Sequence, residues 1–226
     1  MFRPALLAAT LIAAPALAQT PPPLTVVELF QSQGCSSCPP ANAAVNALIA
    51  SRPDVLALSF AVTYWDQLGW KDRFATPAYT QRQWAYAKGL RHDNVWTPQV
   101  VVNGRADTTG TRDGQIAALI AATAKVAGPA LTVTPGSLSV AASRAAAPAD
   151  VWLVRYDPRT VEVAVKAGEN EGRTLPHRNI VHQLTRLGAW SGAAQSYTVA
   201  PAPAGLSTAF LVQAPNGGPI LAAVRG

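Results

Sequence analysis

The two cysteines of the chain lie three positions apart, in Cys35-Ser36-Ser37-Cys38. Two thiols at this spacing can run thiol–disulfide exchange. One attacks a partner sulfur, and the second releases the partner by attacking the mixed disulfide. Only two residues separate them, so a bridge between them restrains little of the unfolded chain and makes a poor staple. Two other readings stay open at this point: an inert local disulfide in a secreted binding protein, and a metal site. Zinc and copper normally take three or four ligands. His92, His177 and His182 form no pair at ligand spacing, and 177 and 182 fall on opposite faces of any strand they share. No metal is expected, and no cofactor either, since neither a Gly-rich phosphate loop nor a Ser-nucleophile elbow is present.

A thiolate needs a setting that favours its charge, and the flanking pattern supplies one. Leu24 to Phe30 is short, apolar and β-branched, which reads as a buried strand. Ala41, Ala44, Val45, Leu48 and Ile49 recur at helical spacing after the cysteines. Cys35 and Cys38 therefore sit between a strand end and a helix start, where free N–H groups and the positive dipole end favour a thiolate. Cys35, nearer solvent, is the expected attacking thiol, and Cys38 the resolving one. Pro39-Pro40 can delay the helix start to Cys38, which weakens this help for Cys35.

Glu28 lies inside the apolar strand. A buried carboxylate has a raised pKa and could accept the Cys38 proton. The alternative is a structural carboxylate bonded to a loop or paired with an arginine.

Val55 to Val62 reads as a second buried strand, parallel to the first across the helix. Its far end opens on the cysteine edge, where open sheets bind ligands. Tyr64, Trp65 and Asp66 follow it directly and are expected to line a partner groove. Trp70 and Trp84 are expected to pack. Thr76-Pro77 signals a helix start, with the stop at Gly89. Gln99 to Val102 and Arg105 to Thr108 read as a hairpin around Asn103-Gly104, and Ile116 to Thr123 as a last helix. Beyond 130 the pattern turns to β: 137–141, a hairpin of 151–156 with 161–165 across Asp157-Pro158-Arg159-Thr160, then 179–187, 196–199, 207–213 and 220–224. That half is expected to be a separate all-β sandwich.

This order, β-α-β-α-β-β-α with Cys-x-x-Cys after the first strand, resembles the thioredoxin fold. Thr97-Pro98 strengthens the resemblance. In that family a cis-proline opens the third strand beside the cysteines, and the residue before it bonds the backbone of a bound peptide. The resemblance therefore implies substrate-binding roles for Thr97 and Pro98. Ordinary thioredoxins carry a Trp before the first Cys and a buried Asp in the first strand; here Gly34 stands before Cys35, and Glu28 lies near the Asp position. A narrower resemblance covers nearly the whole chain after the signal segment. It rests on Val26 to Phe30, Ser32 to Pro40, Tyr64-Trp65-Asp66, Gly69 to Asp72, Thr97-Pro98-Gln99 and Gly168 to Val181. These look like a secreted bacterial family known only as domain of unknown function twelve-twenty-three. The resemblance implies a thioredoxin-like N-terminal domain and no established activity; with the residue pattern, the expected organisation is an α/β thioredoxin-like domain over 24–127 and an all-β domain over 130–226.

Composition narrows the partners. Hydrophobic residues make up 49% and charged ones 13%, which argues against disorder. The net charge of +6 is scattered, without the basic stripe of a nucleic-acid binder. Arg3, the apolar run Ala5 to Ala14 and Ala16-Leu17-Ala18 read as a secretory signal peptide over residues 1–18. No later run is long enough to span a bilayer. The expected protein is exported, secreted or periplasmic, and acts on protein or small-molecule thiols and disulfides.

Overall fold

The computed structural model describes residues 23–123 and 127–226. The segment read as a signal peptide lies outside them. Strand β1 (Thr25–Gln31), helix α1 (Cys38–Ser51) and strand β2 (Val55–Ala61) form the expected parallel unit, with Val27 opposite Ala57. Helix α2 (Pro77–Leu90) leads to β3 (Gln99–Val102), which runs antiparallel to β1 and turns back through Asn103-Gly104 into β4 (Ala106–Thr108). Both turn residues have positive φ, and the register pairs Val102 with Ala106 across a three-residue loop. Helix α3 spans Gln115–Ala122.

Alternation along β1 decides what each helix covers. Val27 and Leu29 face α1 and α3, where they join Ala41, Val45, Val55, Ala57, Val100, Val102 and Ile116. Val26 and Phe30 face α2, with Leu56, Leu58, Phe60, Tyr79 and Tyr86. Glu28 shares that second face. Every residue of β2 is buried, as a strand covered on both sides must be.

The second half adds β5 (Leu131–Thr134), β6 (Ser137–Val140), β7 (Ala149–Asp157), β8 (Val161–Ala164), β9 (Thr174–His177), β10 (Ile180–Trp190), β11 (Gln195–Thr198), β12 (Ser207–Gln213) and β13 (Ile220–Arg225). It does not form a separate sandwich. One mixed eight-stranded sheet runs β13-β12-β7-β10-β2-β1-β3-β4, so the expected division into an α/β thioredoxin-like domain and an all-β domain is overturned. The joint is the free edge of β2. There Ile180 pairs with Ser59, the Ser59 N–H donates to the Asn179 carbonyl at 3.0 Å, and Asn179 Nδ2 donates to the Ala57 carbonyl at 2.7 Å. The core under α2 crosses the joint without a break, taking in Val154, Tyr156, Val181, Ala209, Leu211 and Ile220. Full burial of such side chains is worth roughly 1.5–3 kcal/mol each, so neither half can part from the other cheaply. A three-stranded sheet, β11-β6-β5, covers the opposite face of β7 and β12 around Trp190 and Phe210.

Two local expectations also fail. Strand β8 pairs with β9, not with β7, because both edges of β7 are taken by β10 and β12. Gly89 does not stop α2, which continues to Leu90 and is capped by Arg91 in the left-handed region. A Cβ on Gly89 would lie 2.5 Å from the Gly217 carbonyl oxygen. The glycine is there for close approach of two backbones rather than for a turn.

Candidate functional site

Between β1 and α1 the chain makes a tight turn. The Cys35 N–H donates to the Ser32 carbonyl at 3.2 Å, and the Gly34 N–H to Ser32 Oγ at 3.1 Å. Cys35 and Cys38 are joined as a disulfide with Cα atoms 5.4 Å apart. Both cysteines are 0% exposed, whereas Ser36 and Ser37 between them face solvent. Helix α1 begins at Cys38, with Pro39 and Pro40 following. Among the first three helical positions only Cys38 therefore carries an N–H, and it donates to the Cys35 carbonyl at 3.1 Å. The helix start holds the turn closed and offers Cys35 little of the usual N–H complement.

Ser37 does not use its side chain as a helix cap. Its Oγ lies 3.3 Å from Cys35 Sγ and donates to the Thr97 carbonyl at 3.5 Å. The Thr97-Pro98 peptide bond is cis. Trp65 Nε1 donates to Thr97 Oγ1 at 2.6 Å. Cys35, Cys38, Thr97, Pro98 and Trp65 are thus gathered at one end of the sheet.

The other candidates point elsewhere. Glu28 is 1% exposed, and its two carboxylate oxygens accept from Nε and Nη2 of Arg82, both at 2.7 Å. Arg82 also donates to the Tyr86 hydroxyl at 3.1 Å. Burial works against the Arg82 charge, but Glu28 outweighs it and holds the guanidinium above its ordinary pKa. The structure therefore gives Glu28 the arginine-paired arrangement, on the α2 face and away from α1. Tyr64 turns to α2 as well. Its hydroxyl donates to Gln83 Oε1 at 3.2 Å, and burial pushes it up to about 12. Asp66 accepts the Asp72 N–H at 3.1 Å and serves the loop's own shape. Trp70 packs against Val163, Val165 and Leu175 as expected, but Trp84 is 46% exposed and does not pack.

Three residues to which the sequence assigns no site role build the site. Buried Asp72 accepts the Gln33 N–H at 3.0 Å and the Phe74 N–H at 2.9 Å, and so braces the turn two residues before Cys35. Burial pushes its carboxyl up to about 6. Asn170 is fully buried, and its Nδ2 donates to the carbonyls of Gln33 and Cys35, each at 2.9 Å. Exposed Glu169 accepts the Ser36 N–H at 3.0 Å, and that bonding to Ser36 lowers its pKa. The last two stand on the loop between β8 and β9. In the sequence they stand out only as the polar stretch Gly168-Glu169-Asn170-Glu171-Gly172 and as part of the family-like run Gly168 to Val181, and nothing local ties either to the distant cysteine turn. Among the described residues no cluster of three or more His, Cys, Asp or Glu side chains could hold a metal ion.

Fold and site together define a single mixed-sheet protein with a buried Cys-x-x-Cys disulfide at a helix start, braced by loops from both halves of the chain. The chain belongs to the DUF1223 family, described as a protein of unknown function, whose profile matches residues 26–213. It is similar to the X-ray crystal structure of a protein from Agrobacterium tumefaciens, a structural-genomics target. That match has 30% identity and a TM-score of 0.71, and covers 89% of this chain and 92% of the other. It also resembles the structure of HBP35 of Porphyromonas gingivalis at 13% identity and a TM-score of 0.58, over 90% of this chain and 74% of that one, a likeness of fold alone. No curated protein matches.

Proposed function

We propose that the protein is an exported thiol–disulfide exchange protein, working on protein or small-molecule thiols and disulfides. Cys35 is the attacking sulfur and Cys38 the resolving one, in chemistry of the thioredoxin-like kind. The observation that carries this reading is the closed Cys35–Cys38 pair at the start of α1, with Ser37 linking it to the cis Thr97-Pro98 segment. Thr97, Pro98 and Trp65 shape the partner groove, with Tyr64 and Asp66 setting the loop behind it. Export follows from residues 1–18 as read from sequence.

A second reading has its own support. Complete burial of both cysteines, and the absence of N–H groups at Pro39 and Pro40, suit an inert bridge in a binding protein. The reduction potential separates the two. The protein is equilibrated in glutathione buffers, alkylated, and its free thiols counted by mass. A value between about −120 and −270 mV marks an exchanging pair, and one below about −300 mV a structural bridge.

A further inference from the structure

The β8–β9 loop closes over the cysteine turn. Asn170 Nδ2 bonds the Gln33 and Cys35 carbonyls, and Glu169 takes the Ser36 N–H. These are three hydrogen bonds from two adjacent residues, and beneath them both cysteines are fully buried. The loop is also closed on itself. The Glu171 N–H donates to the Gly168 carbonyl at 3.1 Å, the Gly172 N–H to the Val165 carbonyl at 2.9 Å, and Arg173 Nη1 to Asn170 Oδ1 at 2.8 Å. Gly168 and Gly172 bound it at φ +79° and +78°, the region only glycine enters freely.

Attack on a disulfide requires an approach to the sulfur itself, and Cys35 is fully buried while the loop is bonded to its carbonyl and to the Ser36 N–H. Resting on the exchange reading, we infer that Gly168–Gly172 is a strap that must lift before Cys35 can react, with Glu169 and Asn170 as its latches. With the strap raised, an external thiolate attacks Cys35 Sγ. The new S–S bond forms as the Cys35–Cys38 bond breaks, and the electron pair leaves on Cys38 Sγ, which takes a proton from water. A second thiol on the reductant then attacks its own sulfur in the mixed disulfide and expels Cys35 as the thiolate. The reductant ends oxidised and the cysteine pair reduced.

The test measures the rate at which dithiothreitol reduces the oxidised protein, and the rate at which oxidised dithiothreitol reverses it. Wild type is compared with Glu169→Ala and Asn170→Ala. One lost bond of this kind is worth about threefold to tenfold, so Glu169→Ala speeds both directions by that factor. Asn170→Ala loses both bonds to the turn, with the Arg173 bond inside the loop, and speeds both directions by tenfold or more. A gate changes forward and reverse rates alike, so their ratio stays at the wild-type value. Rates equal to wild type in both variants overturn the strap. So does a rise in one direction only, which would mean that the loop tunes the equilibrium. Glu169 is exposed, so its variant keeps the test valid if Asn170→Ala fails to fold. A potential below the exchanging range refutes the exchange reading, while the reduction rates still judge the strap.

Discussion

The Glu28–Arg82 pair offers the sharpest test of how the sequence divides structure from chemistry. Both side chains are at least 95% buried, and two parallel hydrogen bonds of 2.7 Å join them. Removing one partner strands the other as an unpaired charge in the core under α2, a loss of about 3–5 kcal/mol. For a protein of this size each kcal/mol shifts Tm by about 2–4 °C, so Arg82→Met or Glu28→Leu should each lower Tm by about 6–20 °C. The double variant Glu28→Leu/Arg82→Met replaces the pair with apolar groups and should recover most of that loss, because the pair itself gains little over good packing. Urea and thermal unfolding followed by circular dichroism give the double-mutant cycle. The same double variant is then assayed for disulfide reduction across pH. If the carboxylate only pairs with Arg82, rate and pH profile match wild type. A single-variant loss below about 1 kcal/mol would refute the energetic argument. A collapse of the rate in the well-folded double variant would restore Glu28 as the proton acceptor for Cys38.

The remaining predictions concern buried groups and close packing. Asp72, raised from 3.8 to about 6 mainly by burial, keeps its proton in the fold where the unfolded chain has lost it. Its contribution to stability therefore falls as pH rises from 3.8 to 6, by about 3 kcal/mol in all. His177 does the reverse. Burial, with Arg73 nearby, lowers it from 6.5 to about 4, so its contribution rises with pH across that window by about 3 kcal/mol. Asp72→Asn should steepen the rise of the urea midpoint between pH 4.5 and 6.5, and His177→Leu should reverse it; unchanged slopes would reject both assignments. Both ring nitrogens of His177 lack a hydrogen-bond partner among the described residues, so the leucine should also raise stability at pH 7. Gly89→Ala, favourable by about 1 kcal/mol on helix propensity alone, should instead destabilise, because the new Cβ meets the Gly217 carbonyl; a higher Tm would show that the backbones can separate.

Much of this was open to reading because it is local. Alternating and continuous apolar runs located β1, β2, β3 and most later strands within a residue or two. The Asn103-Gly104 turn, the start of α2 at Pro77 and the site of the disulfide follow from side-chain chemistry within a few positions. The short strands β5 and β9 escape that reading, and most of what else fails depends on distant partners. The apolar run of β2 shows that both faces are covered, but nothing in it says that its free edge is taken by Ile180. Glu28 could be given a burial but not an orientation, because every neighbour in the strand is apolar. Only the placement of Arg82 on α2, 54 residues on, decides that it pairs. Gly89 looked like a helix stop because glycine serves both turns and close contacts, and the contact is with residue 217.

The same long-range pairings explain why the second half belongs to the site. β10 brings Asn179 and Ile180 to β2, and the β8–β9 hairpin, just before it in the chain, therefore lies beside the loop of residues 63–75. There Val163, Val165 and Leu175 pack on Trp70 and Phe74. Trp70 in turn donates to Gln33 Oε1 at 2.9 Å, and Asp72, two residues on, holds the Gln33 N–H. Gln33 is thus gripped from the loop by Trp70 and Asp72 and from the hairpin by Asn170, two residues before Cys35. A reactive disulfide on a lone α/β unit would have solvent above it. Here residues 169 and 170 bond the backbone of Gln33, Cys35 and Ser36, so the hairpin and the cysteine turn are held as one piece.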